Sequence, residues 1–249
     1  MSRRLLAALV VAPTLCLAGY LLARGLLPEA EQKFLYRENG PIELGTAFLF
    51  ALAGGGAISL ALRTRGRIHN AYRLLFMLFA IGCGFVALEE ISYGQQLIGW
   101  RSPDWFEQNN HHGQTNLHNL FGNRPSHMLK NFANYATLVG FVIVPVVAML
   151  RRGAYRPGHW TNYLLPRGEL ILVAGIAQLC SVLWDMPKSV LGDYWHQGWN
   201  EVRELYWGMA ALGYITVMRG RLIETPARLV PEQSKTDARQ TANPSRQAA

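Results

Sequence analysis

Six stretches of roughly 20 mostly apolar residues recur along this chain, separated by polar segments that carry proline or arginine. About 20 apolar residues in a helix match ~30 Å of hydrocarbon. Backbone in that environment must satisfy its own hydrogen bonds, which leaves helices or closed barrels. The stretches are continuous rather than alternating, so they predict helices. The expected spans are about 5–27, 42–62, 74–98, 132–150, 170–184 and 202–218. The fold class that follows is all-α, a polytopic membrane helix bundle forming one domain over 1–224. A tail at 225–249, rich in Pro, Gln, Ser, Thr and charge, reads as disordered.

Half of the 249 residues are hydrophobic and only 16% are charged, low for a soluble domain. Mean hydropathy is just +0.08 because the connections and the tail dilute the apolar blocks. A pI near 9.7 and a formal charge of +8 invite a nucleic-acid reading, but the placement of the charges argues against it. Six spans put both termini on one side. Sixteen of the 24 basic residues fall there, many in the short loops 63–73 and 151–167, while twelve of the 16 acidic residues fall opposite. The +8 therefore divides into +12 and −4. Arginine-dense short loops mark the cytoplasmic side, so both termini are expected in the cytoplasm and no nucleic-acid partner is needed.

The first stretch follows Arg3-Arg4 and has a second reading as a cleaved signal peptide, with Leu17-Ala18-Gly19 near its end. Its length favours a retained span. Gly54-Gly55-Gly56 in the second span suits close helix packing in lipid. Cys16, Cys83 and Cys180 lie inside apolar blocks and form no disulfide or metal spacing, so they read as small buried residues. Walker A, GxGxxG, HExxH and GxSxG patterns are absent from the chain.

The unusual polar residues gather at the non-cytoplasmic level. Glu43 opens span two, Glu89 and Glu90 lie near the end of span three, Asp185 ends span five, and Glu201 and Glu204 open span six. A carboxylate at the bilayer centre costs roughly 2.5–3.5 kcal/mol on insertion scales, so such groups are functional candidates by default. If the helix continues to 98, Glu89 shares a face with Ser92, Tyr93 and Gln96, and Glu90 points about 100° away. Glu201 and Glu204 share a face at i and i+3. The connection over 99–130 adds Asn116, His118 and Asn119 with His111 and His112, and the later loop adds His196. Glu89, Glu90, His118, Glu201 and Glu204 form a candidate metal set suited to Zn, Mn or Fe. Glu89, Glu90 and His118 are equally acid–base candidates, and Ser92 is a nucleophile candidate if a base adjoins it. Gln95, Asn116, Asn119, Glu43, Asp185 and His196 complete the candidate polar pocket. Mutual hydrogen bonding and a shared proton provide a purely structural alternative. Trp100, Trp105, Trp195 and Trp199 read as an aromatic belt at the interface.

Glu38-Asn39-Gly40-Pro41-Ile42-Glu43, Glu89-Glu90-Ile91-Ser92-Tyr93-Gly94-Gln95 and Thr115-Asn116-Leu117-His118-Asn119 resemble the pattern of a family of uncharacterised bacterial multi-pass membrane proteins. That pattern commonly has Trp at Tyr93 and Glu at Gln114, and the second departure weakens position 114 as a ligand. The resemblance implies a bacterial inner-membrane protein and brings no established activity. A fainter similarity, carried by Glu38-Asn39, Ile42-Glu43, Thr46 and Trp195-His196, is to ceramidase-like membrane hydrolases. These are metal-dependent seven-span proteins, but their set of one serine and three span histidines does not occur here.

The sequence thus leads to three expectations. The first is a metal-dependent membrane hydrolase acting on a lipid or lipid-linked substrate at the outer face. The second is an ion or proton carrier using the same carboxylates. The third is a membrane assembly factor. A carrier needs a polar route inward, and spans two, four and five offer few polar residues there.

Overall fold

The computed structural model describes residues 3–37, 40–110, 113–117, 124–151, 160–166, 168–190 and 198–223, and these form helices and their connecting turns. In chain order they are α1 (Arg3–Leu26), α2 (Glu29–Tyr36), α3 (Pro41–Arg63), α4 (Asn70–Glu90), α5 (Gln95–Ile98), α6 (Asp104–Asn109), α7 (Arg124–Leu138), α8 (Val144–Leu150), α9 (Thr161–Leu164), α10 (Ile171–Asp185) and α11 (Trp199–Leu222). The tail expected to be disordered lies outside the described residues.

Among the described residues, four stretches are helical, long and apolar enough to cross a membrane: Ala7–Leu26, the one ending at Arg63, Asn70–Glu90 and Lys130–Leu150. The last joins α7 to α8 through a π-helical segment, Val139–Ile143, in which the Val144 amide reaches back five residues to the Val139 carbonyl. Pro145 follows at once. A proline lacks the amide of the regular ladder and crowds the carbonyl four residues earlier, and the wider turn accommodates it. α10 is apolar but has only 15 residues.

α11 explains why the least apolar of the expected spans can sit in the bundle. It packs against α3 on one side and α10 on the other, and 16 of its 24 residues are buried. Protein rather than lipid surrounds it, so Asn200, Arg203 and Glu204 are tolerated inside. α3 and α4 show the converse pattern. Their large apolar side chains, including Phe48, Leu62, Leu78 and Ile81, point outward and are exposed, as lipid-facing side chains should be.

Small residues let the helices approach. A Cβ on Gly54 would lie 3.3 Å from the Ala80 carbonyl on α4, and one on Gly56 would lie 2.8 Å from Ile215 Cγ2 on α11, whereas Gly55 faces open space. Two glycines of the run therefore seat α3 against two different neighbours. Cys83 and Cys180 are buried and Cys16 half-buried, all three as free thiols.

α1 is packed into the bundle beside α10 and α11. The buried Tyr206 hydroxyl donates to the Pro13 carbonyl at 2.5 Å, and Tyr20 meets Trp199 edge-on at 5.3 Å. Gln32 on α2 donates to the Arg24 and Leu27 carbonyls at 3.0 and 2.7 Å, satisfying acceptors left over at the end of α1. Gly198 precedes α11 at φ +82°, and a Cβ there would strike the Tyr20 hydroxyl at 2.7 Å. Both the backbone and the space require glycine.

Two expectations are corrected. α4 ends at Glu90 instead of continuing to 98, because Ser92 (φ 45°), Tyr93 (φ 53°) and Gly94 (φ 81°) are all left-handed and break the right-handed helix. Ser92 and Tyr93 thus share no helical face with Glu89. Trp199 is a core residue, 5% exposed, rather than part of an interfacial belt. Trp105 is exposed and Trp100 half-buried. Trp195 lies outside the described residues.

Candidate functional site

The end of the bundle that holds Glu90 carries two polar assemblies, which meet where α4 stops. The first is a clasp between the left-handed turn at 91–94 and the segment 110–117. Glu89, 4% exposed, accepts the Leu117 amide on Oε2 at 2.8 Å. Gln95 Oε1 accepts the Thr115 amide at 2.8 Å. Between these two, the buried Ser92 hydroxyl donates to Gln114 Oε1 at 2.7 Å and accepts from Asn116 Nδ2 at 3.1 Å. Asn116 Nδ2 also reaches Gln114 Oε1 at 3.1 Å, and Asn110 Nδ2 holds Asn116 through its carbonyl (3.0 Å) and its Oδ1 (2.7 Å). Thr115 Oγ1 donates to Ser102 at 3.0 Å, and Tyr93 lies within electrostatic reach of Glu89.

The clasp gives the turn its stability. A non-glycine residue held left-handed costs about 1–3 kcal/mol and persists only where its surroundings over-determine it. Ser92 is held by its bonds to Gln114 and Asn116, and the turn that contains Tyr93 is held with it. The two motifs noted in the sequence, 89–95 and 115–117, are therefore two halves of one hydrogen-bonded unit. Ser92 is bonded to two carboxamides, neither of which can remove a proton. Farther along this connection, Arg101 grips Glu107 through two bonds of 2.9 and 3.0 Å on the exposed surface, which holds the Glu107 carboxyl below the usual carboxylate range.

The second assembly is built from four helices. Glu90 faces away from the clasp and interacts electrostatically with Glu204 and Glu201 on α11, Glu43 on α3 and Lys130 on α7. Lys130 Nζ lies 2.7 Å from Glu204 Oε1. Asn200 Nδ2 donates to Glu204 Oε1 at 2.9 Å and to Glu201 Oε1 at 3.2 Å. Arg203 donates to Asn200 Oδ1 and, at 3.3 Å, to Ser181 on α10. Its guanidinium sits 4.9 Å from the centre of the Trp207 ring. Asn134 on α7 donates to the same Ser181 at 3.0 Å and accepts from Gln178 at 3.1 Å through its carbonyl. Among the described residues, Glu90, Glu201 and Glu204 gather around Lys130, Glu201 and Glu204 also act on Arg203, and Glu43 adds a carboxylate beside Glu90, so carboxylates outnumber cations there.

The structure brings together Glu43, Glu90, Glu201 and Glu204, and separately Glu89, Ser92, Gln95 and Asn116. Asp185 is exposed at the end of α10, within electrostatic reach of Arg203. His111, His112, His118, Asn119 and His196 lie outside the described residues. Among the described residues no group of three or more His, Cys, Asp or Glu is placed to hold a metal ion. Sequence reasoning missed Lys130, Asn134, Ser181, Asn200 and Arg203. One signal was available: Lys130 and Asn134 are one turn apart at the start of an otherwise apolar span.

Comparison of the chain with protein-family models, with curated proteins and with solved structures returned no match.

Proposed function

We propose that this chain is a six-span protein of the bacterial inner membrane with both termini in the cytoplasm, and that its Glu90 end is an active site at the outer face for a lipid or lipid-linked substrate. The observation that carries the reading is the convergence of Glu90, Glu201 and Glu204, from two helices, on Lys130 of a third, with Glu43 of α3 facing Glu90. Burying a charge is costly unless it is paired, and here carboxylates outnumber cations. A fold that only needed to be stable gains little from such an arrangement. The outer placement rests on the arginine-rich loops at the opposite end.

The chemistry that suits the cluster is hydrolysis by general acid–base catalysis. Glu90 or Glu201 takes a proton from water as it attacks the scissile carbon or phosphorus, and a neighbouring protonated group returns a proton to the departing oxygen or nitrogen. Glu89 and Ser92 hold the clasp and position Glu90, rather than reacting. A metal-assisted form would need His118 beside one or two of these carboxylates to hold Zn, Mn or Fe, since the described residues alone place no three-ligand group, and the ion would polarise the attacked group. Metal content of the purified chain tests that form separately. A carrier would need a polar path to the other end, whereas α11 below the cluster buries Ala210, Ala211, Ile215, Val217 and Met218. This favours the enzyme.

The test is conversion of bacterial polar lipids, followed by mass spectrometry, by the purified chain in vesicles. Wild type is expected to convert a lipid species, and Glu90→Gln and Glu201→Gln to abolish the conversion. Absence of conversion by wild type, or undiminished conversion by both variants, overturns the reading.

A further inference from the structure

The end of α3 and the turn leading into α4 carry three exposed guanidiniums, those of Arg63, Arg65 and Arg67, and among the described residues no carboxylate pairs with any of them. Four basic residues elsewhere are matched: Lys33 lies 2.6 Å from Glu29, Arg101 2.9 Å from Glu107, Lys130 2.7 Å from Glu204 and Arg221 2.7 Å from Glu169. The turn itself is well tied. The buried Thr64 donates its hydroxyl to the Leu60 carbonyl at 2.8 Å, and the Arg67 amide closes onto the Thr64 carbonyl at 2.9 Å. Arg73 Nε reaches from α4 to the Ala61 carbonyl at 2.9 Å and clamps the two helix ends together. The three charges therefore project from a fixed backbone.

The surroundings of the turn are those of a membrane surface. It joins two of the helices that are long and apolar enough to cross a membrane, so a bilayer crossed by both has its headgroups at this level. Leu62 before the turn, and Leu74 and Leu75 about one helical turn into α4, are exposed apolar side chains. Tyr72 of α4 stacks on Tyr163 of α9 at 5.1 Å, and Trp160 before α9 is exposed. Such aromatic residues are enriched where hydrocarbon meets headgroups. α3 and α11 run parallel, with Gly45 beside Leu205 and Gly56 beside Ile215, so the exposed Arg219 near the end of α11 adds positive charge at the same level.

We propose that the turn between α3 and α4 is a binding surface for anionic phospholipid, with the headgroup phosphate held by Arg63, Arg65 and Arg67 and the upper part of the tails lying on Leu62, Leu74 and Leu75. A guanidinium takes a phosphate through two parallel N–H···O bonds, and basic residues at a bilayer surface strengthen the attraction to anionic lipid. A zwitterionic lipid offers the same phosphate, but its ammonium offsets the charge. The exposed leucines beside the arginines favour a phosphate that carries tails over a free one. The site lies at the far end of α4 from Glu90, about 30 Å along a helix of 21 residues, and it holds whether or not the Glu90 end is catalytic.

The experiment is native mass spectrometry of the full chain released from mild detergent after equal exposure to dioleoyl phosphatidylglycerol and dioleoyl phosphatidylethanolamine, which share their tails. Wild type is expected to retain the anionic lipid about tenfold over the zwitterionic one at low salt, the excess shrinking as salt rises. Arg63→Gln/Arg65→Gln/Arg67→Gln should bring the ratio to about two or below. Lys33→Gln/Arg101→Gln removes exposed positive charge away from the turn and should leave the ratio unchanged. Near-UV circular dichroism checks that each variant is folded. Should the triple variant not fold, Arg65→Gln/Arg67→Gln, both beyond the end of α3, replaces it, with the ratio expected to fall to about three. Excess inorganic phosphate should leave the lipid in place, and displacement by it would assign the arginines to free phosphate and overturn the lipid. No preference in wild type, an unchanged preference in the folded arginine variant, or an equal loss in the Lys33/Arg101 variant would overturn the proposal as well.

Discussion

Glu89 and Glu90 are adjacent in the chain yet serve different assemblies: Glu89 receives the Leu117 amide at 2.8 Å, and Glu90 faces Glu201 and Glu204 on α11. Successive residues on a helix point about 100° apart. Here that rotation separates a residue that holds the clasp from one that faces the carboxylate cluster. The distinction makes separate predictions for each carboxylate.

Replacing Glu89 by Leu removes the acceptor for the partly buried Leu117 amide and leaves that side of the clasp unpaired. The expected loss is about 1–3 kcal/mol, seen as a lowered thermal midpoint in detergent and faster tryptic cleavage at Arg101. Glu89→Gln retains an acceptor oxygen and should behave much like wild type in both assays.

Tyr93 holds φ 53°, a region that β-branched residues resist and asparagine tolerates. Tyr93→Val should therefore destabilise more than Tyr93→Asn, although both lose the same aromatic ring. Equal thermal midpoints for the two would contradict a left-handed turn at this position.

The glycine run offers an internal control. Gly56→Val would force side-chain atoms into Ile215 and should cost about 1–3 kcal/mol by overpacking. Gly55→Ala meets nothing and should be neutral, or stabilising by up to about 1 kcal/mol through helix propensity. Thermal unfolding of the two variants side by side distinguishes this packing from a run with no preferred face.

The all-helical architecture and its four long apolar helices were legible in advance because continuous hydrophobic runs report directly on helices long enough to cross lipid. The break at Ser92–Gly94 was not. Ser-Tyr-Gly carries no strong breaker before its glycine, and the left-handed turn is held by Gln114 and Asn116, some 20 residues away. The motif 115–117 was visible as a pattern, but its role as a partner of 89–95 is a tertiary fact. Lys130 and Arg203 escaped notice because single cations near span ends usually reach the interface. Only packing turns them toward Glu204 and Asn200.

Lys130 permits a test of the cluster itself. Lys130→Met leaves Glu204 without its cation. With Lys130 about a quarter exposed, the loss expected for a fully buried pair shrinks to about 1–3 kcal/mol. Adding Glu204→Gln should recover part of it. A double-mutant cycle showing no coupling between the two positions would contradict the ion pair.

The most direct measurement compares Glu89→Gln with Glu90→Gln, as folded proteins in the same lipid vesicles, for conversion of bacterial polar lipids by mass spectrometry. Glu89→Gln is expected to retain most of the wild-type rate and Glu90→Gln to lose it. Loss in Glu89→Gln with retention in Glu90→Gln would contradict the division of roles, and retention in both would remove the Glu90 cluster from the chemistry.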